Sequence, residues 1–150
     1  MAMALMLQSL DADTLQQTFT TWILEHIGST PSSAKRELVE QIKHYIDIRF
    51  NQSLTLEEIA ERVFLHSSYA STLFKEKTGI TFQDYLKKVR LDHAKRLLEN
   101  TTYRIERIAS MTGYDNVKYF YRLFKNETGE TPSAYRDSCR GVRKGVIGKV

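Results

Sequence analysis

Cysteine is nearly absent from this chain of 150 residues. The single Cys139 can form no disulfide within the chain and no CxxC metal or redox motif. That excludes a disulfide scaffold or cysteine-ligated zinc finger and points to a reducing, cytoplasmic setting. Proline is as scarce: only Pro31 and Pro132 occur, and between them only Gly79, Gly113 and Gly129. With so few breakers, the intervening stretches must be regular. There is no long hydrophobic run. The apolar opening, residues 1–7, lacks a basic leader and stops at Gln8, too short for a signal-peptide core or a membrane span. Basic residues are missing from one end. Residues 1–34 carry Asp11, Asp13 and Glu25 but no Lys or Arg, so the net charge of +4 becomes +7 on residues 35–150 once those three acids are set aside. Arg140, Arg143, Lys144 and Lys149 lie in residues 139–150, which hold no acid. An acidic arm before a basic body favours a polyanionic partner.

What is present is enough apolar material, 41%, to bury a core rather than remain disordered. Its spacing is helical. Leu38, Ile42, Tyr45, Ile46 and Phe50 recur at three and four residues and predict a helix over about 35–50. Thr55-Leu-Glu-Glu58 is a capping box that starts a short helix with Ile59, Ala60 and Val63 inward. A second helix is expected over about 67–77, ended at Thr78-Gly79 by a glycine able to take the left-handed conformation. Thr81-Phe-Gln-Asp84 opens a long helix to about Glu99, with Phe82, Leu86, Val89 and Leu97 inward.

After Asn100 the pattern starts again. Ile59-Ala60 matches Ile108-Ala109 at an offset of 49, and residues 73–85 match 123–135 at an offset of 50, with seven of thirteen positions identical. The one-residue difference falls where Gly113-Tyr-Asp-Asn116 answers Phe64-Leu-His-Ser67, in a turn, where insertions belong. Each repeat reads as short helix, tight turn, second helix, with Ala60 or Ala109 where the two would approach closely. That is a helix-turn-helix, present twice.

A helix that reads DNA buries one side and shows polar, basic or small residues on the other. In the second repeat Phe120, Leu123 and Phe124 form the inner stripe, leaving Lys118, Arg122 and Lys125 opposite, flanked by Val117 and Tyr121. Arg122 suits a base, because its planar fork can donate twice to guanine. Lys125 suits a phosphate. The corresponding row in the first repeat is Ser68, Thr72 and Lys75, with Ser71 beside it, so the second unit is expected to discriminate sequence more strongly. Base contacts are therefore assigned to Ser68, Ser71, Thr72, Val117, Lys118, Tyr121 and Arg122, and phosphate contacts to His66, Lys75, Asn116, Lys125 and Arg136. The long helix spans roughly 27 Å at about 1.5 Å per residue, near the roughly 34 Å between adjacent major-groove faces. That predicts an asymmetric site read by a monomer, with modest bending.

The run Ile108-Ala-Ser-Met-Thr-Gly-Tyr-Asp-Asn-Val-Lys-Tyr-Phe-Tyr-Arg-Leu-Phe-Lys-Asn-Glu-Thr-Gly-Glu-Thr-Pro-Ser-Ala-Tyr-Arg136 and the joining segment Tyr85-Leu-Lys-Lys-Val-Arg-Leu-Asp-His-Ala-Lys-Arg-Leu-Leu98 closely resemble the DNA-binding domain of the AraC/XylS family of bacterial transcription regulators. The wording most resembles the output domains of YesN-type two-component response regulators. The resemblance covers about residues 37–136. It implies a sequence-specific, double-stranded DNA-binding regulator, activator or repressor, with RNA polymerase as a partner and a sensing or receiver domain outside this chain. It places the family's base-facing positions on the seven residues assigned above. The chain departs from the family twice: Phe64 stands where a glycine is usual, and Ala70 where a leucine is usual. Loss of that leucine costs about a kcal/mol or more. Either the first turn is strained or the Phe64 ring fills a gap and compensates for Ala70.

The expected architecture is all-α: two helix-turn-helix subdomains joined by a long central helix, with an N-terminal helical arm. Residues 1–33 are read as arm and linker, 34–138 as the tandem domain (first unit about 35–80, joining helix about 82–99, second unit about 103–138), and 139–150 as a basic flexible tail. The arm carries an apolar stripe, Leu15, Phe19, Trp22, Ile23 and Ile27. It also supports an alternative function, a helical protein-interaction module. An enzyme is not expected. His26, His44, His66 and His93 are scattered, and no HExxH, glycine-rich phosphate loop or Ser-His-acid grouping occurs. No metal, cofactor or membrane partner is expected.

Overall fold

The structure, a computed structural model, describes residues 16–18, 20, 21 and 31–147. From residue 31 the described residues form seven helices and no strand: α1 (Pro31–Arg49), α2 (Leu56–Arg62), α3 (Ser67–Thr78), α4 (Phe82–Asn100), α5 (Ile105–Met111), α6 (Val117–Thr128) and α7 (Pro132–Ile147). Residues 16–18, 20 and 21 are also helical, with the Thr20 and Thr21 hydroxyls donating to the Gln16 and Gln17 carbonyls at 2.8 Å. The apolar stripe of the arm lies outside the described residues.

Among the described residues two compact units result, one formed by those up to Arg49 with Leu54–Tyr85, the other by Phe50–Ser53 with Leu86–Ile147. In the first, α1, α2 and α3 pack on one another around Val39, Ile42, Ile46, Ile59, Leu73 and Phe74. Val39 takes the buried place expected for Leu38, which is half-buried. The helix starts at Pro31, so residues 31–33 belong to α1 and not to a linker. Proline suits the first helical position, where its missing N–H would have no partner anyway. The capping box of α2 forms as expected: the Glu58 amide donates to Thr55 Oγ1 at 3.3 Å and the Thr55 amide to Glu58 Oε2 at 3.2 Å.

In the second unit Leu91, Ala94, Leu98, Ile105, Ile108, Ala109, Tyr114, Phe120 and Phe124 form one core. Most of α4 therefore belongs to this unit and is not a free-standing connector. Its inner stripe also differs from the expected one. Phe82 and Leu86 are buried, but further along Leu91, Ala94 and Leu98 face inward, while Val89 and Leu97 are half-buried. One helix that serves two cores must change its inner face along its length. The segment Phe50–Ser53 also joins this unit, held by Arg90, whose Nε donates to the Phe50 carbonyl at 2.7 Å and Nη2 to the Gln52 carbonyl at 2.8 Å. The Phe50 ring stacks on His93 at 3.9 Å. The expected flexible tail is a further difference, because α7 continues to Ile147. The half-buried Cys139 and the Arg140 guanidinium, which donates to the Thr101 carbonyl at 3.3 Å, hold the helix where a tail was expected to begin.

The duplication extends to atomic detail. Thr78 Oγ1 donates to the Phe74 carbonyl at 2.7 Å and the Ile80 carbonyl at 3.0 Å, and Thr128 Oγ1 does the same to Phe124 and Glu130 at 2.7 and 3.0 Å. The Phe74–Tyr85 and Phe124–Tyr135 pairs both meet edge to face at 5.5 Å and 77°. Gly79 and Gly129 end α3 and α6 in the left-handed conformation, at φ +78° and +84°. At the turns the repeats differ in kind. Gly113 has φ +85° and Phe64, its counterpart, φ +57°. Phe64 is 83% exposed, so its ring fills no gap and cannot compensate for Ala70; of the two readings, the strained turn is the one that forms.

Candidate nucleic-acid interface

Helix α6 carries the most distinctive surface. Asn116 caps it, its Oδ1 accepting from the Tyr119 amide at 2.9 Å. That cap forces the start of the helix and leaves the NH2 of the same amide group outside the bond. Phe120 and Phe124, one turn apart, are wholly buried and fix the rotation of the helix. Lys118, Arg122 and Lys125 consequently face outward and are exposed. Asn116, Lys118, Tyr119 and Arg122 line a shallow cleft of about 480 Å3. Two assigned residues fall elsewhere: Val117 and Tyr121 are half-buried and pack against the core of this unit, so at most their edges belong to the outer face.

Sequence reasoning missed two residues. Tyr119 is 45% exposed and lies beneath Arg122, whose guanidinium carbon is 5.6 Å from the ring centroid. Its spacing of three residues from Arg122 was a usable signal. Arg90 is the other. Besides bonding Phe50 and Gln52, it lies over the Tyr114 ring at 5.4 Å. A Cβ on Gly113 would come within 2.9 Å of its Cζ. Burial lowers the pKa of Arg90 below the usual guanidinium value, yet such a group stays charged at neutral pH. Burial also pushes the Tyr114 phenol up to about 12. The Tyr135 hydroxyl donates to Glu99 at 2.7 Å, and that bond, with burial, raises its pKa further above the ordinary tyrosine value.

Helix α3 presents a different surface. His66 caps it, Nδ1 accepting from the Ser68 amide at 3.4 Å and meeting Ser68 Oγ at 2.9 Å. Ser68, Ser71, Thr72 and Lys75 are all exposed, and the Thr72 hydroxyl donates to the Ser68 carbonyl at 3.1 Å. Its donor is thereby used within the helix. Arg136 is half-buried, with Nη2 donating to the Tyr103 carbonyl at 2.6 Å; it does not line the α6 cleft. Among the described residues no group of three or more His, Cys, Asp or Glu could hold a metal ion, and no helix is long and apolar enough to cross a membrane.

Two capped helical hairpins, each ending its second helix at a left-handed glycine, have close counterparts. A helix-turn-helix domain family model matches residues 59–138. The C-terminal domain of AraT, a response regulator from Geobacillus stearothermophilus, is 37% identical, with 67% of this chain and 84% of that one covered and a TM-score of 0.65. The C-terminal domain of the two-component response regulator yesN from Fusobacterium nucleatum is 38% identical, over 65% of this chain and 95% of that one, with a TM-score of 0.62. The chain belongs to the AraC-type helix-turn-helix family. The resemblance read from residues 108–136 therefore holds, and the relatives it reaches include HTH-type transcriptional regulators. An HTH-type transcriptional regulator of Escherichia coli strain K12, YijO, is 38% identical over 112 residues, which is 73% of this chain and 40% of YijO. The chain spans under half the length of this curated relative. The family match begins at Ile59, within α2, and runs to residue 138, so it takes in the whole of α3, α4, α5 and α6.

Proposed function

We propose that this chain is the DNA-reading part of a transcription regulator that binds one asymmetric promoter site, with one major-groove segment for each helix-turn-helix unit. The observation that carries this is the outer face of α6, where Lys118, Tyr119 and Arg122 are exposed above the buried Phe120 and Phe124. Arg122 reads guanine and Lys118 reaches an adjacent base edge. Ser68, Ser71 and Thr72 on α3 supply weaker, hydroxyl-based readout, and Val117 and Tyr121 make apolar edge contacts. Lys75, Lys125, Arg136 and the capping residues His66 and Asn116 meet phosphates, which orient a protein on the duplex without reading its sequence. RNA polymerase is the expected protein partner, the cytoplasm the expected location, and the input domain lies outside this chain.

Selection of bound sequences from a random duplex pool, followed by anisotropy titration, tests the reading. Arg122→Ala is expected to relax base preference in one half of the site at a cost of about 1–3 kcal/mol, and Lys125→Ala to weaken all sequences alike and lower the salt slope by about one. Equal, sequence-blind losses for both would refute the role given to Arg122.

A further inference from the structure

Tyr119 is a large ring left on the surface beside a core that already holds Tyr114, Phe120 and Phe124. It continues a row that starts in that core. Tyr114, buried, lies 5.3 Å from Phe120 and beneath Arg90. Tyr119 sits 6.2 Å beyond Tyr114, and Arg122 lies over Tyr119 at 5.6 Å. The inner end of the row is fixed by Arg90 on the Phe50 and Gln52 carbonyls. The outer end is the one arginine of α6. Arg122 makes no ion pair among the described residues, so the ring is the group that restrains it. Attraction between a guanidinium and an aromatic face is modest at exposed sites. A guanidinium that lays its flat face on a ring keeps its in-plane N–H donors free, and those are the donors that guanine O6 and N7 require. A long side chain held that way loses less rotamer freedom on binding.

We propose that Tyr119 is a positioning residue that aims Arg122 at guanine, so that the base preference of the second unit depends on the Tyr119 ring. This rests on α6 being the base-reading helix. The first repeat holds half of the device: Tyr69 stands at the equivalent position, but Thr72 replaces the arginine and bonds its own helix.

The test uses the whole chain and two duplexes that differ only at the Arg122-dependent position, one with guanine and one with adenine. The wild type is expected to prefer guanine by about ten- to hundredfold. Tyr119→Leu should reduce this to about twofold while affinity for unrelated duplex and the salt slope persist. Tyr119→Phe, which keeps the ring, should retain the preference. Adding Tyr119→Leu to Arg122→Ala should cost no further discrimination. Full discrimination in Tyr119→Leu, equal loss in Tyr119→Phe, or additive losses in the double variant overturn the proposal. Absence of any Arg122-dependent preference in the wild type overturns the reading of α6 and the proposal with it. If Tyr119→Leu does not melt like the wild type, the same pair is built in the first unit. There Thr72→Arg should gain a guanine preference and Thr72→Arg with Tyr69→Leu should not; a gain in both, or in neither, overturns the idea.

Discussion

Two residues at one turn position show how the same backbone demand is met at different cost. Gly113 and Phe64 both hold positive φ, a region that penalises an L-residue with a Cβ by roughly 1–2 kcal/mol. At Gly113 the demand is double, since a Cβ would also meet Arg90 at 2.9 Å. Gly113→Ala should therefore destabilise the second unit by about 2 kcal/mol or more and release Arg90 from Tyr114, which thermal melting would register. Phe64 packs against little, at 83% exposed. Phe64→Gly removes the strain but adds roughly 0.5–1 kcal/mol of unfolded-chain entropy, so a net gain of about 0.5–1 kcal/mol is expected. A lower melting temperature for Phe64→Gly would mean that the ring has contacts the fold depends on. Tyr114 offers a further test at this scale. Its hydroxyl is buried without a partner, and an unsatisfied buried group of this kind costs about 1–3 kcal/mol, so Tyr114→Phe should melt at or above the wild-type temperature. A raised phenol pKa contributes stability that is complete below the unfolded value of 10.0 and is lost as pH rises towards the folded value of about 12. Tyr114→Phe should accordingly flatten the fall in stability across that window.

The two second helices, α3 and α6, have matching ends but unequal anchors. Position 70 is alanine where position 120 is phenylalanine, and both side chains are fully buried. The smaller side chain contributes less apolar area, and at about 25 cal/mol per Å2 the difference amounts to a kcal/mol or more. Amide exchange should therefore be faster in α3 than in α6. Slower exchange in α3 would sink the idea of a loosened first unit. Several element ends were legible in the sequence because local chemistry sets them: the Thr55–Glu58 box and the glycines after Thr78 and Thr128. The pattern also exposed the buried faces of α2 and α6, since those helices pack on a single core. It failed on α4, which serves two cores, and on α7, where two glycines looked like a tail. The Arg90 anchor was invisible for another reason. Its bonds span 38 and 40 residues, and no local spacing encodes a partner so far along the chain. Tyr119 was missed because its ring covers an arginine and not the core.

Across the whole molecule, a net charge of +4 sets how strongly DNA binding can depend on bulk attraction. Three cationic side chains, Lys75, Lys125 and Arg136, are assigned to phosphates. Neutralising about three phosphates gives a slope of log affinity against log salt near −2.7, and so a loss of about fortyfold between about 50 and 200 mM salt. Arg136 differs from the two lysines, because one of its nitrogens already donates to the Tyr103 carbonyl. If its remaining donors meet a phosphate, Arg136→Ala should bring the slope to about −1.8, matching the effect of Lys125→Ala. If it serves only to brace Tyr103, Arg136→Ala should lower the melting temperature and leave the slope where it was. A wild-type slope steeper than about −5 would mean that basic residues of α7 such as Arg140 join the contact. A slope near zero, with binding intact, would contradict phosphate contact altogether and return the basic row of α6 to an ordinary solvated helix face.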